Sequence, residues 1–346
     1  MNNISKTVKV INDYQSQELI DMFIQFMSQE RPLFCSRIGG SDYEIVVEYF
    51  NNKKLYKKIS VYDFIPSIFL KVYDKIFYRN TLKRKYNYAV EKVKKLNGYF
   101  DFNSNRSNFI KYLEEMSNSY KNSDCFLYAG ANLIYKFENN RFNKNDFNFI
   151  NYILENKVAI NYTFIEAVLP FIKSFKIWGE NKRILIVSPL SKSIEFQYKR
   201  KNDLINNYQF PNFKLLTYNT KVTYNTKNDS METLGIITNN WNEELDRIKD
   251  DIRKMDFDIA LLSCGSYSMS LGNYIKNMGK KSIYLGGVLN VIFNIYGKRY
   301  DTPFFNNIVN LDSQINPIEN NDILKILGGK NMKNESFNAY FGTRKQ

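Results

Sequence analysis

Residues 258 to 297 read DIALLSCGSYSMSLGNYIKNMGKKSIYLGGVLNVIFNIYG, and this stretch indicates the fold class. It contains two short apolar runs, each of which ends at a glycine turn and leads into a longer segment with apolar residues at helical spacing. The pattern predicts strands over Asp258–Ser263 and Ser282–Leu285, with helices over Tyr267–Met278 and Val288–Tyr296. Strands that alternate with helices of about ten residues are typical of a parallel sheet covered by helices.

The same alternation continues upstream. Apolar runs predict further strands at Leu33–Ile38, Asp124–Tyr128, Arg183–Ser188 and Phe213–Thr217. Helical spacing is present at Ser16–Glu30, Asn103–Asn122, Asp146–Asn156, Thr163–Ile172, Ser191–Asn206 and Asn242–Lys254. We expect an α/β protein with a Rossmann-like, doubly wound, mostly parallel sheet and a helical insertion in its N-terminal half, at Asp63–Leu96. The sequence divides into an N-terminal α/β part, residues 1–179, and a Rossmann-like nucleotide-binding part, residues 180–346, or forms one continuous domain.

The composition predicts a folded protein and excludes several chemistries. The 346 residues are 44% hydrophobic and 16% aromatic, which is enough to build a large core. The sequence has no histidine, which excludes Ser-His-Asp and Cys-His catalysis and metals held by histidine. Cys35, Cys125 and Cys264 lie far apart and are interpreted as small apolar residues of strands. Any metal would therefore be held mainly by oxygen ligands.

Charge and hydropathy suggest the partners and the compartment. The net charge of +14 favours anionic partners such as nucleotides, phospholipid head groups or nucleic acid, although a general bias towards Lys, Asn, Ile and Tyr explains the same excess as solvated surface. Residues Met1–Lys9 are polar, and no apolar run reaches the roughly 18 residues that span a bilayer. We expect a cytoplasmic protein. We expect no nucleic-acid partner, because no RNA- or DNA-binding motif is present.

Three glycine turns that follow predicted strands are candidate ligand-binding sites. They are Ile38-Gly39-Gly40-Ser41, Cys264-Gly265-Ser266-Tyr267 and Leu285-Gly286-Gly287-Val288. In a parallel sheet, ligands bind at the carboxyl ends of the strands, where glycine lets the backbone approach a phosphate and the next helix supplies N–H donors. None of the turns has the full dinucleotide-binding or P-loop spacing, and a tight turn by itself also requires glycine.

Asp42 and Glu44 form an Asp-x-Glu pair just after the first of these turns. Two carboxylates beside a diphosphate would bind Mg²⁺ or Mn²⁺, with Arg37 upstream to balance the remaining negative charge. The same residues also fit a structural role, because Ser41-x-x-Glu44 is a helix capping box and both acids stabilise a helix N-terminus. The residue pattern alone leaves both roles open.

The most basic stretch of the sequence runs from Arg79 to Lys95. It would suit an anionic membrane surface or a lipid-diphosphate acceptor. It would equally suit a solvated helix face, which is the commoner role of such charge runs.

Several segments carry a resemblance to a known family. They are Arg37-Ile38-Gly39-Gly40-Ser41, Ile184-Leu185-Ile186-Val187-Ser188-Pro189, Trp241 with Leu245, Asp258-Ile259-Ala260-Leu261, Cys264-Gly265-Ser266-Tyr267, Met269-Ser270-Leu271, Met278-Gly279-Lys280, Leu285-Gly286-Gly287 and Gly297-Lys298-Arg299. They resemble bacterial proteins found with surface-polysaccharide genes and, more distantly, glycosyltransferases of the GT-D type. The resemblance covers most of the chain apart from its middle and its tail.

In the GT-D type, a Rossmann-like fold binds a UDP-sugar, and an Asp-x-Glu motif serves the metal and the nucleotide. The resemblance implies that Asp42 and Glu44 bind Mn²⁺ or Mg²⁺ and that Arg37 faces the diphosphate. The candidate nucleotide-binding residues are Gly39, Gly40, Ser188, Gly265, Ser266, Tyr267, Gly286, Gly287 and Asn290. The chain departs from the family pattern where Gly40 and Ser41 precede the acidic pair, and where Tyr284, Asn290 and Tyr300 stand in place of His, Gln and Trp.

The resemblance therefore implies a metal-dependent glycosyltransferase. It would move a sugar from a nucleotide donor, a UDP-sugar, to a surface glycan or lipid-linked acceptor. The basic stretch from Arg79 to Lys95 would add peripheral contact to the inner face of the membrane. The general base stays unassigned, with Glu166, Glu195 and Glu232 as candidates near predicted strand ends. A pyruvyl- or phosphotransferase of polysaccharide assembly and a non-catalytic binding member of the family are the alternatives.

Overall fold

The computed structural model describes residues 9–11, 17–38, 40–53, 56, 86–94, 98–128, 148–149, 152–153, 158–160, 168–223, 236–319 and 343–344. Within them the strands are β1 (Lys9–Ile11), β2 (Leu33–Ile38), β3 (Cys125–Tyr128), β4 (Val158–Ile160), β5 (Arg183–Val187), β6 (Lys214–Tyr218), β7 (Ile259–Leu262) and β8 (Lys281–Tyr284). They form one eight-stranded sheet in the order β1-β4-β3-β2-β8-β7-β5-β6. Every neighbouring pair is parallel. The predicted α/β, Rossmann-like, doubly wound fold is confirmed.

Helices connect and cover these strands. They are α1 (Gln17–Ser28), α2 (Gly40–Asn51), α3 (Arg106–Asn122), α4 (Val168–Trp178), α5 (Ser191–Tyr198), α6 (Trp241–Arg253), α7 (Tyr267–Asn277), α8 (Val288–Ile292) and α9 (Pro303–Ile308). Residues 86–94 are also helical. Among the described helices, none combines the length and the apolar character that a bilayer crossing requires.

The core lies on both faces of the sheet because the strands are apolar on both sides. In β5, Leu185 and Val187 pack into one core with α2, α3, α6 and α7. Ile184 and Ile186, the intervening residues, pack into the other core with α1, α4, α5 and α8. Side chains alternate between the two faces of a strand, so a run of consecutive apolar residues predicts burial on both.

The order of the strands determines where ligands can bind. From β5 the chain moves outward to β6 and then returns to β7 on the other side of β5. Such a reversal leaves a crevice beyond the carboxyl ends of the strands, since the connections on its two sides run in opposite directions. β2 pairs with β8, with Leu33 opposite Lys281. Strands from residues 1–179 and strands from residues 180–346 therefore belong to one continuous sheet.

The structure differs from the sequence expectation in element lengths. The helix predicted to reach Asn206 ends at Tyr198, since the chain turns into a 3-10 segment and Asn207 adopts a left-handed φ of 57°. The helix predicted to reach Tyr296 ends at Ile292, shortly before Asn294 at φ 49°. Strands β1 and β4 are only three residues long, too short to show an apolar pattern. Of the predicted insertion at 63–96, residues 63–85 and 95–96 lie outside the described residues.

Gly272 on α7 allows the helix to approach β2 closely. A Cβ at this position would lie 2.0 Å from Cε2 of Phe34, a fully buried ring of β2. Replacing a helical glycine with alanine ordinarily stabilises by about 1 kcal/mol. Here we expect Gly272→Ala to destabilise by about 1–3 kcal/mol, because the ring must move in a packed core. Urea unfolding measures the change, and the double variant with Phe34→Leu should recover part of it. A more stable Gly272→Ala protein would contradict this packing.

Candidate functional site

A cleft lies at the carboxyl edge of the sheet, where the strand order reverses. It encloses about 640 Å³, including the space open to solvent at its mouth. Five neighbouring strands contribute through their last residues or the turns that follow. The lining residues are Arg37, Ser188, Pro189, Leu190, Thr220, Lys221, Val222, Thr223, Ser263, Cys264, Gly265, Tyr284, Gly286, Gly287 and Asn290.

Two glycine turns form the part of the cleft beyond β7 and β8. Gly265 and Gly286 both have left-handed φ angles, 61° and 58°, which residues with a Cβ rarely adopt. The Gly286 N–H donates to the carbonyl of Leu262, which holds the turn against the end of β7. The helices that follow, α7 and α8, have no side-chain cap, whereas the Asn240 side chain caps α6. At the start of each helix a backbone N–H, that of Ser268 in α7 and that of Leu289 in α8, donates to the carbonyl of the preceding glycine, Gly265 and Gly286 respectively.

Arg37 reaches the cleft from the next-to-last position of β2. Its guanidinium carbon lies 5.9 Å from the ring centroid of Tyr284, a cation–π contact between neighbouring strands. A Cβ on Gly286 would lie 2.2 Å from Nη1 of Arg37, so the guanidinium occupies the space that only glycine leaves open. The structure thus places the Arg37 guanidinium beside the backbone of a residue without a side chain, an arrangement that suits phosphate recognition.

The opposite wall is a short segment, residues 220–223, that follows β6. Its first residue, Thr220, donates its N–H to the carbonyl of Ser188 at 3.4 Å. Its last residue, Thr223, donates its hydroxyl to the carbonyl of Gly98 at 2.5 Å. Lys221 lies between these two anchored positions, is exposed and lines the cleft.

Aromatic residues support the Gly265 turn from beneath. Ser266, the residue after Gly265, accepts a 2.8 Å hydrogen bond from Nε1 of Trp241. The rings of Trp241 and Tyr267 stack with their centroids 5.2 Å apart and their planes 2° from parallel. Both residues are buried, and burial raises the pKa of the Tyr267 phenol. These groups therefore hold the turn in place and stay uncharged.

Cys264 lies on the cleft wall but does not fit a nucleophilic role. Burial raises the pKa of its thiol to about 12, an effect that the nearby Ser268 hydroxyl offsets only in part. A thiol with this pKa is protonated at neutral pH, and the thiolate is the reactive form.

The described lining is positively charged. It contains Arg37 and Lys221, and none of the described residues that line the cleft is acidic. No group of three or more carboxylate or thiol side chains that could hold a metal occurs in the described part of the chain. The cationic side chains in the described lining therefore favour an anionic ligand.

The predicted metal ligands are only partly described. Glu44 lies on α2, its side chain is 67% exposed, and it forms an ion pair with Lys92 of helical residues 86–94. Asp42 lies in the first turn of α2, but its side chain is outside the described residues. The capping box of Ser41 and Glu44 is not tested, because the Ser41 side chain is also outside them.

Comparisons with known proteins add no identification. No family model, no curated protein and no solved structure matches this chain. The resemblance to GT-D glycosyltransferases therefore stays a prediction.

The structure brings most of the predicted nucleotide-binding residues together. Those that line the cleft are Ser188, Gly265, Gly286, Gly287 and Asn290, and Arg37, which was predicted to face the diphosphate, lines it as well. Ser266 and Tyr267 lie behind the wall, Gly40 begins α2, and Gly39 is outside the described residues. Sequence reasoning missed residues 220–223, although their place directly after a predicted strand is a signal that they face the same edge.

Proposed function

We propose that this protein is a glycosyltransferase that binds the diphosphate of a nucleotide-sugar donor in the cleft. One observation carries the proposal: the cleft at the strand reversal joins a cation and two left-handed glycine turns, with no acidic residue among the described lining. Sites of this kind bind phosphate groups through backbone N–H donors and a nearby cation.

The same arrangement suits the departure of a nucleotide. When the bond between the sugar and the diphosphate breaks, negative charge develops on the leaving phosphate. Fixed N–H groups and the guanidinium of Arg37 stabilise that charge without reorganising, which lowers the barrier. Tyr284 fixes the guanidinium position through its ring contact.

The chemistry beyond the donor rests on the resemblance. The proposed acceptor is a bacterial surface glycan or a lipid-linked precursor, and the proposed site of action is the cytoplasmic face of the membrane. Of the candidate bases, Glu195 lies on α5 and accepts a hydrogen bond from Thr217. Glu166 and Glu232 are outside the described residues. Dependence on Mn²⁺ or Mg²⁺ is proposed only through Asp42 and Glu44.

Ligand-induced thermal stabilisation tests the donor class directly. We expect UDP, ADP or their sugar derivatives at 100 times their Kd to stabilise the folded protein by about 2.7 kcal/mol, because they bind the folded state only. Phosphoenolpyruvate, which a pyruvyltransferase would bind, should give no shift. Each ligand is measured with and without Mn²⁺ or Mg²⁺.

The outcomes separate the alternatives. A shift with phosphoenolpyruvate and none with nucleotides would replace the glycosyltransferase proposal with a pyruvyltransferase. Nucleotide binding without turnover of any nucleotide sugar would favour a non-catalytic member. A metal-dependent shift that is lost in Asp42→Asn would support the metal site, and an identical shift in that variant would contradict it.

A further inference from the structure

Residues 220–223, which form one wall of the cleft, cross the carboxyl ends of the strands, and we call this segment the strap. It leaves β6, is held to Ser188 at its first residue, and reaches Gly98 at its last, on the side where α3, α6 and α7 pack. The Tyr267 hydroxyl lies close to Thr223, and the Tyr267 ring rests on Trp241. The strap is therefore supported from below and anchored at both ends.

Lys221 is the cation that this strap carries. Arg37, the other cation, belongs to β2, while the strap extends from β6, and three strands, β8, β7 and β5, lie between those two in the sheet. Neighbouring strands are about 4.8 Å apart, so the two cations start from well-separated walls with both glycine turns between them. A ligand that places an anionic group against each of the two cations needs at least two such groups.

We propose that Lys221 binds the second phosphoryl group of a diphosphate whose other phosphoryl group lies beside Arg37 and the Gly286 turn. The cleft would then select nucleoside diphosphates and their sugar esters over nucleoside monophosphates. This inference rests on the proposed nucleotide site and names the residue that makes it specific for a diphosphate.

The affinities of matched phosphate pairs test this role. Binding of UDP and UMP, of ADP and AMP, and of pyrophosphate and orthophosphate is measured by calorimetry on the full chain. Removing a hydrogen bond to a charged group weakens binding by about 10-fold or more. We expect Lys221→Ala to weaken UDP, ADP and pyrophosphate by at least about 10-fold, and the three monophosphate probes by less than about 2-fold.

A control variant and a second strap variant sharpen the test. Lys214→Ala removes an exposed lysine from the opposite end of β6 and should leave every affinity unchanged. Thr223→Val removes the hydroxyl that holds the strap to Gly98 at nearly constant volume. It should weaken diphosphate binding less than Lys221→Ala does, and have no further effect in the Lys221→Ala background, because it acts through the same lysine.

Two results would overturn the inference in distinguishable ways. If the unaltered protein binds UDP, ADP or pyrophosphate and Lys221→Ala binds them equally well, or loses mono- and diphosphates alike, Lys221 does not contact the second phosphoryl group. If the unaltered protein binds none of these probes, the proposed nucleotide site itself fails, and the inference fails with it.

Discussion

Gly286→Ala is expected to weaken nucleotide binding by about 100-fold, whereas Gly279→Ala is expected to leave it unchanged. Both glycines have left-handed φ angles, 58° and 82°, so either alanine costs about 1–2 kcal/mol of stability. They differ in surroundings. An added Cβ at Gly279 has no atom within 4 Å, while at Gly286 it would lie 2.2 Å from Nη1 of Arg37. Only Gly286→Ala therefore displaces the guanidinium from the cleft.

Calorimetric titration with UDP and ADP measures this difference, and urea unfolding of both variants measures the shared backbone cost. The pair separates strain from site geometry, because Gly279 lies in the turn between α7 and β8, away from the cleft lining. Equal nucleotide affinities for the two variants would mean that the phosphate does not lie beside Arg37 and Gly286.

Trp241→Ala is expected to lower the free energy of unfolding by about 3–5 kcal/mol. The Trp241 ring is fully buried, stacks on Tyr267 and meets the edge of Tyr112 at 4.7 Å. Its removal leaves a cavity and removes the indole N–H that donates to the hydroxyl of Ser266. Trp241→Phe keeps an aromatic ring there and should cost less, about 1–3 kcal/mol.

Trp178 offers the matched control for this prediction. It is the other tryptophan of the chain, is 5% exposed, and donates its Nε1 to Ser174 on the opposite face of the sheet. Urea unfolding should show a loss of stability for alanine at either position. At low denaturant, only Trp241→Ala should also weaken nucleotide binding, because only Trp241 supports the Gly265 turn. Normal binding by folded Trp241→Ala would remove that supporting role.

The fold was largely predictable because its strands carry a local signal. β7, predicted at Asp258–Ser263, lies at Ile259–Leu262, and all four of its residues are buried. A strand buried on both faces is a continuous apolar run that needs no long-range information. The helices after β5 and β8 were predicted too long, since their ends depend on contacts with distant segments, such as the bridge between Ile205 and Val309.

The candidate site was predictable only in part. Glycine after a strand marks a turn at the carboxyl edge, which is why Gly265 and Gly286 were found. No glycine follows the strand that precedes Lys221, so the sequence there carries no turn signal. Only the position of Lys221 beyond the carboxyl end of β6 identifies it. Glu44 pairs with Lys92, 48 positions away, and neither the metal motif nor the capping box in the sequence indicates that partner. Long-range ion pairs leave no local pattern.

The pairing of β2 with β8 has a consequence for any attempt to divide the chain. Residues 180–346 alone would expose one whole side of β8 as an unpaired edge, and residues 1–179 would expose the matching side of β2. Apolar edges of this kind recruit other chains and lead to aggregation. Either fragment would also lose one half of the Arg37 and Tyr284 contact. Insertions and fusion points are therefore better tolerated beside the outermost strands, β1 and β6, than between the central strands β2 and β8.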